Sequence, residues 1–482
     1  MAMVLCTFQA CREIEKPNKL VDDGVFQKID NYLDQEGQNG FSGIINIKIK
    51  DKPLYTRAFG YANREEKVQI NASTVFDIGS LTKQFTAAAI LKLEMEEQLR
   101  VEDSLIKFFP DIPSDKSSIT LHQLLTHTSG LKKSIGYDYA RSSKSEFLEQ
   151  LFKSKLDAIP GTRYKYSHAA YSLLGAVIES VSGSTYEEYL KEKLLDPAGI
   201  RNTGYVLPRW EEKQIAHGYR KCKDWGKPMD LPWSSDGPYW NLKANAGLIS
   251  SSEDLLKWME AIEGPEIFSE EAREKFFYPH VREGEAAGSF YGYGWVIAKS
   301  TRNTDVIAHD GNNRRFYTDL YRYRSEDVTI ILQSNLDKPG HKNITFELAR
   351  IIFWEDYEPQ VQGSIQVCMD SLPHNQIGKV SGDLFSMLEA KQPLSDTSIV
   401  DEFFSEYLKN RHSKEHILDV LNGLRVKLVQ PKIRKVIVTD YLNMEISLRC
   451  SEGEESKNLF VKLIFDEEDL KIRTLMYDRR PY

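Results

Sequence analysis

The hydrophobic pattern changes period along the chain. Residues 42–50 and 54–60 are short, largely apolar runs separated by Asp51-Lys52-Pro53, and they predict two strands joined by a tight polar turn. From Ser80 the period becomes helical. The stretch KQFTAAAILKLEMEEQ is rich in Ala and Leu, with Phe85, Ala89 and Leu93 on one face. Its start is apolar on several sides, which predicts a central, buried helix. Thr120 and Gln123 form a capping box ahead of a short apolar helix that stops at His127-Thr128-Ser129-Gly130. Residues 169–181 predict another apolar helix ending at Gly183. Thr185 with Glu188 offers a second capping box, for a helix that stops at Pro197.

Strand signals return at 290–297, 304–308, 315–323 and 327–333, and a helix follows over about 343–355. The region between, about 105–285, reads as helices and long loops. Strands at both ends predict one sheet built from both termini, with a helical region inserted. After about residue 360, helical patterns at 397–409 and 414–424 precede strand-like runs at 433–449, 457–465 and 470–477. Their charged alternation predicts an antiparallel sheet with one wet face. The expected layout is an N-terminal segment (1–24), a main domain (25–357) and a small α+β domain (358–482). The last contains no nucleophile motif, metal cluster or phosphate loop, and suits support, dimerisation or capping of a site.

Composition changes this picture little. A chain of 482 residues is too long for one core, consistent with two or three domains. A net charge of -8 without a clustered basic run argues against a nucleic-acid partner. No stretch approaches the roughly 18 apolar residues of a membrane-spanning helix. The start, MAMVLCTFQACREIEKP, has two readings: a clipped export signal ending at Ala10-Cys11, or a simple N-terminal tail. The first implies a periplasmic, extracellular or lipid-anchored protein and the second a cytoplasmic one. The five scattered cysteines have neither metal-ligand spacing nor a disulfide framework.

Three short motifs carry candidate chemistry. In Ser80-Leu81-Thr82-Lys83, residues three apart share a helix face, so the amine reaches the hydroxyl. Lysine can take the serine's proton only if burial or nearby positive charge keeps it partly neutral. Tyr166-Ser167-His168 lies between Pro160-Gly161 and an apolar helix, where a phenol can relay protons if Lys83 lowers its pKa. His309-Asp310-Gly311 precedes a strand, and its glycine would let a substrate lie close against the strand backbone. The amides of Asn312 and Ser80 are candidate oxyanion donors. Each motif alone is equally at home as a helix start, a packing tyrosine or a solvated turn.

Their conjunction is more specific. Ser80-x-x-Lys83, Tyr166-x-His168 and His309-x-Gly311, in this order, resemble the serine β-lactamase and penicillin-binding-protein superfamily. The nearest likeness is to its branch of class C β-lactamases, D-alanyl-D-alanine carboxypeptidases and esterases. FDIGSLTKQFTAAAILKL, LHQLLTHTSGL, PGTRYKYSHAAYSLLGAVIESVSG, AGLISSSEDLLKW, YGYGW and IAHDGNNRRFYTDL support it over residues 35–355. The resemblance implies an α+β, β-lactamase-like sandwich: an antiparallel sheet flanked by helices, with the inserted helical region. It implies that Ser80 is acylated, and that Lys83 accepts its proton or holds Tyr166 as phenolate. Tyr166 then relays a proton to the leaving group and activates the deacylating water. His309 orients Tyr166 or binds a substrate carboxylate, and the Ser80 and Asn312 amides form the oxyanion hole. No metal or organic cofactor is implied, and the partner is a small molecule or short peptide.

Two departures matter. His168 stands where the family usually has Asn, which changes how a substrate amide is gripped and introduces a group that charges near pH 6–7. Asn312-Asn313-Arg314-Arg315 follows where relatives often carry small residues; Arg314 and Arg315 either bind an anionic substrate or face water. The expectation is a serine hydrolase of an ester or peptide-like amide with weak or no β-lactam turnover. A non-catalytic binding protein on the same fold and a true class C-like β-lactamase are the rival readings.

Overall fold

A computed structural model describes residues 23–220, 223–284, 287–336, 341–359, 367–369, 376–389, 393–428, 431–440, 443–452, 455–466 and 470–478. The expected N-terminal segment lies almost wholly outside the described residues. The chain forms two compact units. The first takes in Ser42–Arg220 and Asp224–Asp337; the second takes in the described residues of 18–41 and 338–482, with Lys223.

The first unit is built on an eight-stranded antiparallel sheet. Its strands run in the order Val281–Arg282, Ser289–Tyr291, Val296–Lys299, Asp305–Asn312, Tyr317–Tyr323, Val328–Ser334, Gly43–Ile49 and Tyr55–Phe59. The early hairpin joins the last strand through pairs from Gly43–Ser334 to Ile49–Val328. The sheet is therefore assembled from both ends of the unit, as its strand signals predict. Ile44, Ile45, Ile47 and Ile49 are all buried, so this strand is covered on both faces.

Helix Thr82–Met95 passes through the core of the inserted helical region. Every residue from Thr82 to Leu91 is buried, and the ring of Phe85 stacks on Trp258 at 4.2 Å. Two of its polar side chains bond to neighbouring elements: the Thr86 hydroxyl donates to the Ala244 carbonyl at 2.6 Å, and Trp258 Nε1 donates to Gln84 Oε1 at 3.2 Å. Helix His168–Ser182 lies alongside, closed by Gly183. Residues 243–245 run between the two. A Cβ on Gly175 would meet Ala244 Cβ at 2.5 Å, and Ser172 Oγ donates to the Lys243 carbonyl at 2.8 Å. Both expected capping boxes form, at Thr120–Gln123 and Thr185–Glu188.

Several boundaries differ from expectation. The run 290–297 is two strands, parted by a turn at Gly292-Tyr293-Gly294 whose Gly292 N–H donates to the Trp295 carbonyl at 2.8 Å. His309-Asp310-Gly311 lies within strand Asp305–Asn312 rather than before it, because it pairs in register with Thr318-Asp319-Leu320. Helices Asp23–Gln38 and His341–Phe353 group with the second unit, whereas the sequence placed both in the main domain. Glu36 and Glu347 both lie close to the buried Tyr32 phenol, at the contact between these two helices.

The second unit also holds a five-stranded antiparallel sheet: Val367–Met369, Lys432–Asp440, Asn443–Glu452, Glu455–Phe465 and Ile472–Asp478. Met444, Ile446, Leu448 and Cys450 alternate into the core opposite Leu459, Val461 and Leu463, as a period of two requires. The run 433–449 is thus parts of two strands. The helical run 397–409 is broken at Phe404-Ser405, where the Ser405 N–H donates to the Ile472 carbonyl at 3.1 Å. Helix Gln376–Leu388 was not expected; its face of Ile377, Leu384 and Leu388 enters the same core. Among the described residues no helix is long and apolar enough to cross a membrane.

The Thr120 cap sets where the short helix Leu121–Leu125 begins, and so where the following His127 turn falls. Replacing it (Thr120→Ala) is expected to lower the unfolding free energy by about 1 kcal/mol. Urea unfolding followed by tryptophan fluorescence would read this; an unchanged midpoint would mean that other contacts fix the helix end.

Candidate active site

Ser80 sits in a single 3₁₀ turn, Gly79–Leu81, that leads directly into helix Thr82–Met95. It is half-buried at the mouth of the core, whereas Lys83, one turn on, is 0% exposed. Lys83 Nζ lies 3.1 Å from Ser80 Oγ, 2.8 Å from the Asn245 carbonyl and 3.4 Å from His168 Nδ1. Burial drives the Lys83 pKa far below that of a free lysine, Lys133 adds to this, and Asp138 and Asp310 oppose it. A neutral amine has two hydrogens and one lone pair. In that form the Asn245 carbonyl accepts one hydrogen, which leaves the lone pair able to face the Ser80 hydroxyl.

The Tyr166 phenol is hydrogen-bonded to Ser80, and its ring centroid lies 4.8 Å from Lys83 Nζ. Its pKa does not fall as the sequence suggested. Burial raises it, and Asp310 and Glu283 add to the rise, against the hydrogen bond with Ser80.

His127 holds Tyr166 in place and was read in the sequence only as part of a helix stop. Its carbonyl accepts the Lys165 N–H at 2.8 Å, and its Nδ1 accepts the Ser167 N–H at 3.1 Å. The backbone is thus gripped on both sides of Tyr166, and the two rings lie 4.2 Å apart. The signal was present as LLTHTSGL, but only the fold shows what its histidine touches.

His168 is half-buried, and desolvation together with Lys83 and Lys133 holds its pKa well below the usual histidine value. The charge expected near pH 6–7 is therefore suppressed. Its Nδ1 lies 3.4 Å from Lys83 Nζ, where an asparagine would offer both a donor and an acceptor. His309 is buried. Its Nδ1 donates to the Asp310 carbonyl at 2.8 Å, and its Nε2 lies 3.1 Å from the Tyr291 hydroxyl. Tyr291 packs edge-on to Tyr166, so His309 meets that ring through an intermediary.

Gly311 has a different use from the one expected. A Cβ there would lie 2.0 Å from the Ile78 carbonyl oxygen and 3.1 Å from the Ser80 nitrogen. What needs the space is the protein's own backbone. Gly79, at φ +52°, approaches the Asn312 nitrogen from the other side, within 3.0 Å of where its Cβ would stand. The strand thus brings the Asn312 amide beside the Ser80 turn. Arg315 does not simply face water: its guanidinium carbon lies 4.9 and 4.8 Å from the ring centroids of Tyr139 and Trp225.

An antiparallel sheet flanked by helices, with a buried lysine one turn after a half-buried serine, defines a β-lactamase-like architecture. The chain belongs to the Beta-lactamase family, whose model matches residues 28–351. That superfamily is serine-hydrolase-like, with members that act on peptide and ester bonds. Penicillin-binding protein 4* of Bacillus subtilis (strain 168) is 28% identical over 459 residues, covering 90% of this chain and 95% of that one. Among solved structures, the octameric penicillin-binding protein homologue from Pyrococcus abyssi is similar with a TM-score of 0.60 at 22% identity. That match covers 94% of this chain and 95% of the other. D-amino acid amidase from Ochrobactrum anthropi SV3 is similar with a TM-score of 0.58 at 18% identity, over 68% and 99% of the chains. At these identities the two structures speak to the fold.

Burial and the neighbouring Lys83 hold His127 well below the usual histidine pKa. Below about pH 6.5 the unfolded chain therefore binds a proton that the folded one refuses, and stability falls as pH falls. Asparagine at this position keeps an acceptor for the Ser167 amide but does not titrate. His127→Asn should flatten the dependence of unfolding free energy on pH below 6.5 by up to about 1.4 kcal/mol per pH unit. Urea unfolding at several pH values is the measurement, and an unchanged slope would show that His127 titrates alike in both states.

Proposed function

We propose that the protein is a serine acyl hydrolase that acts on an ester or a peptide-like amide through an acyl-enzyme on Ser80. The observation that carries this is the buried Lys83, whose pKa burial drives far below that of a free lysine and whose Nζ lies 3.1 Å from Ser80 Oγ, 2.8 Å from the Asn245 carbonyl and 3.4 Å from His168 Nδ1. As Ser80 Oγ attacks the acyl carbon, its proton passes to Lys83. The N–H groups of Ser80 and Asn312 receive the oxyanion that forms. Lys83 then returns the proton by way of Tyr166: the phenol gives its own proton to the leaving group and takes one from the ammonium. In deacylation, water attacks the acyl carbon, gives a proton toward Tyr166, and the phenol's proton goes to the departing Ser80 oxygen. The raised Tyr166 pKa suits this relay, since the phenol enters each step protonated.

The similarity to penicillin-binding proteins and to a D-amino acid amidase supports a peptide-like substrate with a D-configured residue. The histidine at 168 removes the side-chain amide that relatives use to grip a substrate amide, which supports ester cleavage and weak β-lactam turnover. The assigned roles are Ser80 as nucleophile, Lys83 as base and Tyr166 as relay, with His168 and His309 orienting them.

Intact mass after mixing with p-nitrophenyl acetate or with benzylpenicillin tests this reading. An acyl adduct or turnover in the wild type, absent in Ser80→Ala, is expected. Persistence of the adduct in that variant would remove Ser80, and an inert wild type would favour a binding protein on this fold. Two further variants test the proton path. Lys83→Arg carries a permanent charge and should lose turnover almost completely. Tyr166→Phe should slow it by about 100-fold or more. Full activity in either variant would exclude that residue from the path.

A further inference from the structure

The two amides assigned to the oxyanion hole come from segments far apart in the chain, and one buried carboxylate joins them. Asp77 ends a short strand, Val75–Asp77, that pairs with Ile249–Ser251. It is 3% exposed. One oxygen, Oδ1, accepts the Gly79 N–H at 2.7 Å, inside the turn that presents Ser80. The other, Oδ2, accepts a hydrogen from Asn313 Nδ2 at 2.7 Å, across 236 residues of sequence. The Asn313 carboxamide cannot simply be turned round. Its Oδ1 accepts the N–H groups of Arg315 at 3.0 Å and Phe316 at 2.8 Å, closing the turn that follows Asn312.

We propose that Asp77 is a positioning residue for the oxyanion hole, stapling the turn of Ser80 to the turn of Asn312 through Asn313. This rests on the assignment of those two amides in the proposed function. The close backbone approach of Gly79 and Gly311 sets the distance between the segments, but a van der Waals contact does not fix their rotation. Two hydrogen bonds to opposite oxygens of one rigid carboxylate do. A donor displaced by about 1 Å is enough to cost a large share of the rate, while the acyl group still binds.

The geometry allows a reciprocal exchange. In Asp77→Asn, one arm faces a donor with a donor, either at Gly79 or at Asn313. In Asn313→Asp, two carboxylates face each other. In the double variant, the carboxamide now at position 77 accepts from Gly79 through its oxygen and donates through its nitrogen to the carboxylate now at position 313. The other oxygen of that carboxylate still accepts the two turn amides, and net charge is unchanged.

Steady-state hydrolysis of p-nitrophenyl acetate by all four proteins is the test, with folding checked by thermal unfolding. Each single variant is expected to lose about 10- to 100-fold in kcat with KM changed by less than about threefold. The double variant should recover most of the loss. Wild-type kcat in Asp77→Asn would overturn the proposal. So would a double variant that is no more active than the poorer single variant, or that fails to fold. Absence of turnover in the wild type is a separate outcome: it removes the hydrolase reading itself.

Discussion

Everything around the site follows from keeping one lysine dry. An ammonium taken out of water without a counter-ion is costly, so a buried amine gives up its proton instead. Lys83 can be buried only because the first turns of its helix are buried on all sides, and such a helix needs neighbours on all sides. The inserted helical region provides them: helix His168–Ser182, the Trp258 side chain and the 243–245 segment close over it. The buried helix and the base are therefore one requirement. A polar substitution that let water reach Lys83 would restore its charge without touching Ser80.

The same dryness explains why histidines serve at 127 and 168. In water an imidazole is half charged near pH 6.5, and a charge beside Lys83 would be repelled or would disturb its proton. Here burial lowers the pKa of Lys83, His127 and His168, and Lys83 adds to the fall at both histidines. A neutral imidazole has one fixed acceptor, so hydrogen bonding selects its tautomer. His127 accepts from the Ser167 amide through Nδ1, which puts its remaining proton on Nε2. Asp138 and Asp310 soften the field, opposing the fall of the Lys83 pKa.

Local signals made much of this legible, while tertiary ones did not. Capping boxes at Thr120 and Thr185, the helix from Ser80 and the two-ended sheet are written in spacing and period, and all are present. Periodicity cannot see a turn inside an apolar run, so 290–297 and 433–449 each read as one strand. Spacing brought Ser80 and Lys83 together because a helix fixes that distance. The contact of Tyr166 with Ser80 depends on a loop, and motif order alone suggested it. The Tyr166 pKa was misjudged for a related reason: sequence reveals a basic neighbour but not that burial will discharge it. The use of His127 is not legible in the sequence because its partners, the Lys165 and Ser167 amides, are main-chain groups that leave no mark on residue type.

The backbone contact between Gly79 and Gly311 bears on how such a site can vary. Ser80 belongs to the helical region and Asn312 to the sheet, and their amides are brought together by main-chain atoms with no side chain between. Side chains beyond Asn313 are then free to differ without moving the amides. Arg314 and Arg315 stand in that position, one exposed and one held between Tyr139 and Trp225. Substrate preference can change there while the geometry of acyl transfer stays as it is, which is why a shared architecture by itself does not specify what is cleaved.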